Sequence, residues 1–222
     1  MTNVFSEISP WQLFLLGGPV MWPILLCSVF AFAIIIEKFH YFFSIGVNVL
    51  DLKERIFSAL QKNDIKEALA CCESRISPVA NVLKAGLLKH GMPKEEVVEA
   101  MQEASQFEIP RLEKRMLALS TIANVSTLLG LLGTVTGMCG SFHTIQVRAA
   151  AMNPVTPGDI AGGIWEALIT TVAGLIVAIP VFVAYNYFVT RVNRYVVLME
   201  MLAVDLANFM THLSFGSTSR KG

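Results

Sequence analysis

Three long apolar runs dominate the chain, separated by segments of mixed polarity. The first extends from about Val20 to Phe43, the second from about Met116 to Ile145 and the third from about Ile160 to Val189. Each reaches the roughly 20 residues that an α-helix needs to cross a hydrocarbon core of about 30 Å. Residues 20–43, 116–145 and 160–189 are therefore expected to be transmembrane helices. Residues 1–19, 44–115, 146–159 and 190–222 fall outside the membrane. The fold class that follows is all-α, an integral membrane protein with three spans.

Punctuation between the runs predicts further helices. Ser9 before Pro10 is a helix start, with a capping hydroxyl and a proline suited to the first turn. Gly17-Gly18-Pro19 ends that helix early, and Trp11 and Trp22 suit residues 1–19 to an amphipathic segment along the outer interface. In residues 44–115, Asp64 followed by Glu67 forms a capping-box pattern for a helix from Ile65 to about Arg75. Ser77-Pro78 opens another helix that Gly91 closes. Pro93 starts a third, with Glu95, Glu96 and Glu99 at its positive dipole end. Val97, Val98, Met101, Ala104, Ile109 and Leu112 carry its pattern towards the second run. If Pro110 only kinks it, one helix of about 50 residues, roughly 75 Å long, enters the second span. Residues 190–222 are expected to be a helix followed by an unstructured tail, Gly216 to Gly222. Pro180, deep in the third run, is expected to bend it.

Composition excludes an ordinary soluble domain: 54% of residues are hydrophobic, 15% are charged and the mean hydropathy is +0.58. Lysine and arginine are distributed unevenly. They crowd between Glu37 and Met116 and recur at Arg191, Arg194, Arg220 and Lys221, whereas residues 1–19 have none and residues 146–159 have only Arg148. The positive-inside rule then puts the N-terminus and the short loop outside, and the large loop and the C-terminus inside. The first apolar run lacks a basic flank before it and a small-residue cleavage site after it, so it is expected to stay in the mature protein. Cys27 and Cys139 fall in spans and Cys71 and Cys72 are adjacent, which is no disulfide framework. Acids match bases throughout the large loop, so nothing points to nucleic acid. No metal, nucleotide or nucleophile motif is present, and neither enzyme activity nor a cofactor is expected. Cys139 and His143 share a helix face but are too few to hold a metal.

The chemistry concentrates in Glu166, a lone carboxylate between Gly162 and Ala178 of the third run. An acid at membrane depth costs roughly 2.5–3.5 kcal/mol on insertion scales and usually serves a function. Desolvation favours its neutral form, so proton movement is the natural reading. An acid parked at the lipid interface, or neutralised by a hydrogen bond, is the plainer alternative. Polar stripes accompany it. On the second run Ser120, Asn124, Thr127, Thr134 and Ser141 recur near one helix face, beside Gly130, Gly133, Gly137 and Gly140. On the third, Gly162, Glu166, Thr170 and Gly174 recur every four residues, while Thr171 lies about 140° round from Glu166. Such residues commonly serve helix packing. Thr127, Ser141, Thr170, Gly133, Gly137, Gly174 and Pro180 are thus pore-lining or packing candidates.

Two blocks resemble a known family. Leu129-Gly130-Leu131-Leu132-Gly133-Thr134-Val135-Thr136-Gly137-Met138 is similar to the second-span signature of the ExbB/TolQ/MotA proton-channel family. Ile164-Trp165-Glu166-Ala167-Leu168-Ile169-Thr170-Thr171-Val172-Ala173-Gly174 through Pro180, followed by Tyr185-Asn186, is similar to its third-span signature. The resemblance implies a homopentamer in the bacterial inner membrane, whose long helices surround a pore and continue into the cytoplasm. The pore would hold the single spans of two copies of a partner resembling ExbD or TolR, which supplies the essential aspartate. Proton flow would then deliver work to an envelope protein resembling TonB or TolA. By motif position Glu166, Thr134 and Thr171 take the family's proton-pathway roles. Three spans rather than four set the chain apart from MotA itself. A scaffold of the same fold that assembles partners without conducting is the alternative.

Overall fold

A computed structural model describes residues 9–45, 49–62, 64–74 and 77–218. Among the described residues eight helices follow one another: α1 (Pro10–Leu16), α2 (Met21–Ile45), α3 (Val49–Gln61), α4 (Ile65–Glu73), α5 (Pro78–Leu88), α6 (Lys94–Glu113), α7 (Met116–Ala150) and α8 (Pro157–Thr218). No strand occurs among the described residues. The stretches Met21–Ile45, Lys94–Ala150 and Pro157–Thr211 are long and apolar enough to cross a membrane.

Local chemistry accounts for most of the boundaries. The Ser9 hydroxyl accepts from the Gln12 amide at 3.3 Å, and the Gln12 side chain accepts from the Ser9 amide at 3.2 Å, a reciprocal cap that starts α1. Gly18, at φ +68°, ends the connection to α2 in a backbone region that side chains disfavour. Asp64 caps α4 through the Glu67 amide at 3.0 Å. The expected return bond is replaced, because the Asp64 amide donates to the Ala59 carbonyl at 3.1 Å instead. At Ser77 the backbone starts α5 without help from the hydroxyl, which is buried and unpartnered. Gly91, at φ +88°, lies in the turn that follows α5.

The chain forms two compact units. One comprises the residues up to Glu37 together with Arg115–Asn186. Its α2 segment buries Met21, Ile24 and Ala31 and turns Trp22, Leu26, Phe30 and Phe32 outwards. An outward surface of that kind is stable only against lipid or another apolar partner. The other unit comprises Lys38–Lys114 and the chain from Tyr187 onwards. Phe42 stacks on Phe188 and Tyr195, with ring centroids 5.7 and 6.1 Å apart. Val192, Tyr195, Met199, Leu202, Leu206 and Met210 recur at helical spacing on α8 and are all buried. Leu52, Ile56 and Leu60 of α3, Leu83 and Leu87 of α5 and Met101 of α6 complete this core. Lys53 and Asp205 pair at 2.7 Å.

Two expectations are corrected. The helix predicted to run unbroken from Pro93 passes Pro110 but stops at Glu113, and Arg115 adopts φ +66° before α7 begins. A side-chain donor takes over there: the buried Lys38 ammonium donates to the Leu112 carbonyl oxygen at 2.7 Å, an acceptor that continued helix would have used. The third span and the C-terminal helix form one element, α8, as expected of a long helix that continues past the apolar run, and no glycine or proline interrupts the chain between Pro180 and Gly216. The predicted tail is helical as far as Thr218, and residues 219–222 lie outside the described part. Arg75, the expected end of α4, also lies outside it; that helix closes at Ser74, whose amide donates to Ala70 at 3.0 Å.

Candidate functional site

The site is built where α8 meets α7 on one side and the α1–α2 turn on the other. Small residues allow the first approach. Gly130, Gly133 and Gly137 of α7 are buried. A methyl group on Gly137 would sit 2.6 Å from the Gly163 carbonyl, and one on Gly174 would sit 2.6 Å from the Ser126 carbonyl and 2.9 Å from the Gly130 α-carbon. A methyl group on Gly133 would strike the Thr170 hydroxyl. The two backbones therefore nearly touch, as close helix packing in lipid requires.

Hydroxyl groups along this seam are bound to carbonyls. Thr171 donates to Gly130 of α7 at 3.0 Å and to Ala167 of its own helix at 3.1 Å. Ser141 donates across the seam to Ile160 at 3.2 Å. Thr170, buried, stays within α8 and donates to Ala167 at 2.9 Å and Glu166 at 3.1 Å. Thr134 is half-buried and donates to Leu131 at 2.6 Å, and Thr127 is exposed and donates to Ala123 at 3.1 Å. Pro180 is exposed and lies within the continuous α8. Past the seam, Arg148 near the end of α7 pairs with Asp159 at the start of α8 at 2.7 Å. Asp159 also accepts from the Thr156 amide at 2.9 Å and hydroxyl at 2.7 Å, which fixes the loop between the two helices.

Glu166 faces away from that seam. Its carboxylate lies against Gly18, so closely that a methyl group on Gly18 would collide with Oε1. Glu166 is half-buried, and its carboxylate makes no hydrogen bond among the described residues. One turn further along α8, Ile169 is buried and lies 3.3 Å from where a methyl group on Gly17 would be. The structure thus brings Thr171, Thr170, Gly133, Gly137, Gly174 and Ser141 together, and it sets Glu166 apart from them. Thr134 is bonded within its own helix, so Glu166, Thr134 and Thr171 form no continuous hydrogen-bonded chain among the described residues. Two participants escaped the sequence reading. Gly18 had registered only as a helix breaker, although paired glycines also mark close backbone approach. Ser126 is buried on the seam with an unpartnered hydroxyl, one position away from the expected hydroxyl stripe.

Comparison with known proteins decides the family. The model of the MotA/TolQ/ExbB proton channel family matches residues 74–201, more than half of the chain and all of the seam with Glu166. The chain belongs to this family. A MotA/TolQ/ExbB relative from Methanothermobacter thermautotrophicus, a putative biopolymer transport protein ExbB homolog, is 29% identical over 96% of this chain and 72% of its own length. The putative biopolymer transport protein ExbB-like 3 of Synechocystis is 31% identical over 78% of this chain and 81% of its own length. The Tol-Pal system protein TolQ of Pseudomonas aeruginosa is 28% identical over 85% of this chain and 87% of its own length. With three apolar helical stretches, this MotA/TolQ/ExbB member is a multi-pass membrane protein of the channel and transport class.

Proposed function

We propose that this chain is the proton-channel subunit of an inner-membrane motor of the ExbB–ExbD or TolQ–TolR kind, coupling the proton-motive force to work on envelope proteins. The observation that carries the reading is Glu166, the one carboxylate of the apolar stretch 160–189, half-buried with no ion partner among the described residues. A carboxylate can take up a proton and store its charge, whereas a hydroxyl only relays it. Thr134 and Thr171 serve as hydroxyls along the route.

Five copies form a ring whose pore takes the single spans of two ExbD- or TolR-like partners, and a TonB- or TolA-like protein receives the work. Support comes from the family, and from polar and small positions that the described subunit leaves open: Asn124, Thr127, Gly140 and Gly162 are all exposed. The strongly apolar outer face of α2 suits the lipid side of such a ring. The distribution of basic residues favours a periplasmic N-terminus and a cytoplasmic C-terminus.

Glu166→Gln tests the reading. It keeps size and hydrogen bonding and removes titration. Proton-driven activity of the complex should be lost while oligomer yield by native mass spectrometry stays at the level of the unmodified protein. Full activity of the glutamine variant would defeat the proposal.

A further inference from the structure

We infer that Gly18 is a positioning residue for Glu166: the left-handed glycine at the α1–α2 turn provides the seat in which the carboxylate rests. This rests on the proton-site reading of Glu166 and adds what holds that group in place. Three observations carry it. The space a side chain at position 18 would fill is taken by Oε1, Cδ and Cγ of Glu166, the latter two at 3.1 and 3.7 Å. Gly18 has φ +68°, so the turn keeps its shape only with glycine or a residue that tolerates that region. The turn is packed against α8 at the preceding residue and closed by a backbone hydrogen bond of its own. Gly17 is buried against Met21 and Ile169, and Met21 donates to the Gly18 carbonyl at 3.2 Å.

The seat has a clear consequence. A carboxylate on a three-bond side chain samples several rotamers unless something limits it, and limiting it costs side-chain entropy that the surroundings must offset. Gly18 leaves one rotamer of Glu166 unobstructed, and the carboxylate occupies it against the turn. Displacement by about 1 Å is enough to cost a reacting group up to about 100-fold in rate.

The test uses the full chain in liposomes with Gly18→Ala and Gly18→Asn, the second because asparagine tolerates the left-handed region and preserves the turn. A hydrophobic carbodiimide reacts with protonated carboxyl groups, and mass spectrometry reads its attachment at Glu166 as a function of pH. Both variants are expected to shift the pH midpoint of labelling at Glu166. A double-mutant cycle supplies the second readout: Gly18→Ala should lower the melting temperature less when Glu166→Ala has emptied the seat. Gly91→Ala is the control, since Gly91 is left-handed with nothing within 4 Å, and it should leave labelling unchanged. An unshifted midpoint with both Gly18 variants, or additive melting shifts in the cycle, would overturn the inference. Labelling and melting do not depend on proton-driven activity, so an active Glu166→Gln protein would refute the channel reading without touching the result for Gly18.

Discussion

The ammonium of Lys38 in α2 donates a 2.7 Å hydrogen bond to the carbonyl of Leu112, the penultimate residue of α6. Lys38 is only 3% exposed, and Tyr41 and Phe42 present their rings to it at 5.5 and 5.7 Å. A cation at a helix C-terminus satisfies an orphan carbonyl and complements the helix dipole. The contact therefore explains how α6 can stop at Glu113 without leaving the Leu112 oxygen bare.

Lys38→Met tests that role. Methionine keeps an unbranched apolar stem and removes the donor. A hydrogen bond to a charged group contributes about 1.5–3 kcal/mol, and a loss of that size is expected in thermal unfolding. Hydrogen exchange should quicken at residues 112–116 in particular. An unchanged melting temperature would show that the carbonyl finds another donor at no cost.

Cysteine chemistry separates two neighbouring thiols. Burial, and secondarily the adjacent Cys71, pushes the Cys72 thiol up to about 12 from its ordinary value of 9.0. Cys72 is buried whereas Cys71 is half-exposed. Because the thiolate is the nucleophile, iodoacetamide at pH 8 should modify Cys71 and leave Cys72 intact until the fold opens. The sign of the pH effect on stability follows. Between pH 9 and about 12 the unfolded chain gives up the Cys72 proton while the folded chain keeps it, so stability falls as pH rises through that window. Rapid alkylation of Cys72 in the folded protein would contradict this.

The close approach of α7 and α8 predicts opposite outcomes at two glycines. At Gly174 a methyl group meets backbone atoms at 2.6 and 2.9 Å, which cannot swing aside. Gly174→Ala should destabilise the subunit by about 1–3 kcal/mol, the usual range for overpacking. At Gly140 nothing lies within 4 Å. Gly140→Ala should stay within about 0.5 kcal/mol. Equal losses at the two positions, measured by unfolding in detergent, would mean that the helices are not seated as described.

How far the sequence anticipates all this depends on the range of each interaction. The three long helices are visible because the length of an apolar run is local information, and Glu166 is visible because it interrupts one. The Ser9 cap was legible for the same reason. The break before α7 was not: Lys114 and Arg115 are ordinary helix residues, and the stop belongs with tertiary contacts, Lys38 on Leu112 and the ion pair of Arg115 with Glu37. Two adjacent stripes are legible on α7, one of hydroxyls and one of glycines, and it is the glycine stripe that packs against α8. Leu119, Ala123, Ser126, Gly130, Gly133, Gly137 and Ser141 are the buried face, whereas Ser120, Asn124, Thr127 and Thr134 flank it. Periodicity gives a helix face only to within about one residue, because neighbouring positions differ by about 100°. The contact of Gly18 with Glu166 joins distant parts of the chain and leaves no periodic trace.

Thr134 and Thr171 differ in a way that separates packing from proton movement. The Thr171 hydroxyl crosses to the Gly130 carbonyl, so Thr171→Val removes an interhelical bond, which in membranes averages about 0.6 kcal/mol. Among the described residues the Thr134 hydroxyl is bonded only to Leu131 of its own helix, so Thr134→Val should change stability by no more than about 0.5 kcal/mol. If both hydroxyls serve the proton route, both variants lose proton-driven activity, and only Thr171→Val also loses stability. A Thr134→Val protein with full activity would remove Thr134 from the route. Loss of activity at that position with stability unchanged cannot be assigned to packing, which makes Thr134→Val the cleaner probe of the two.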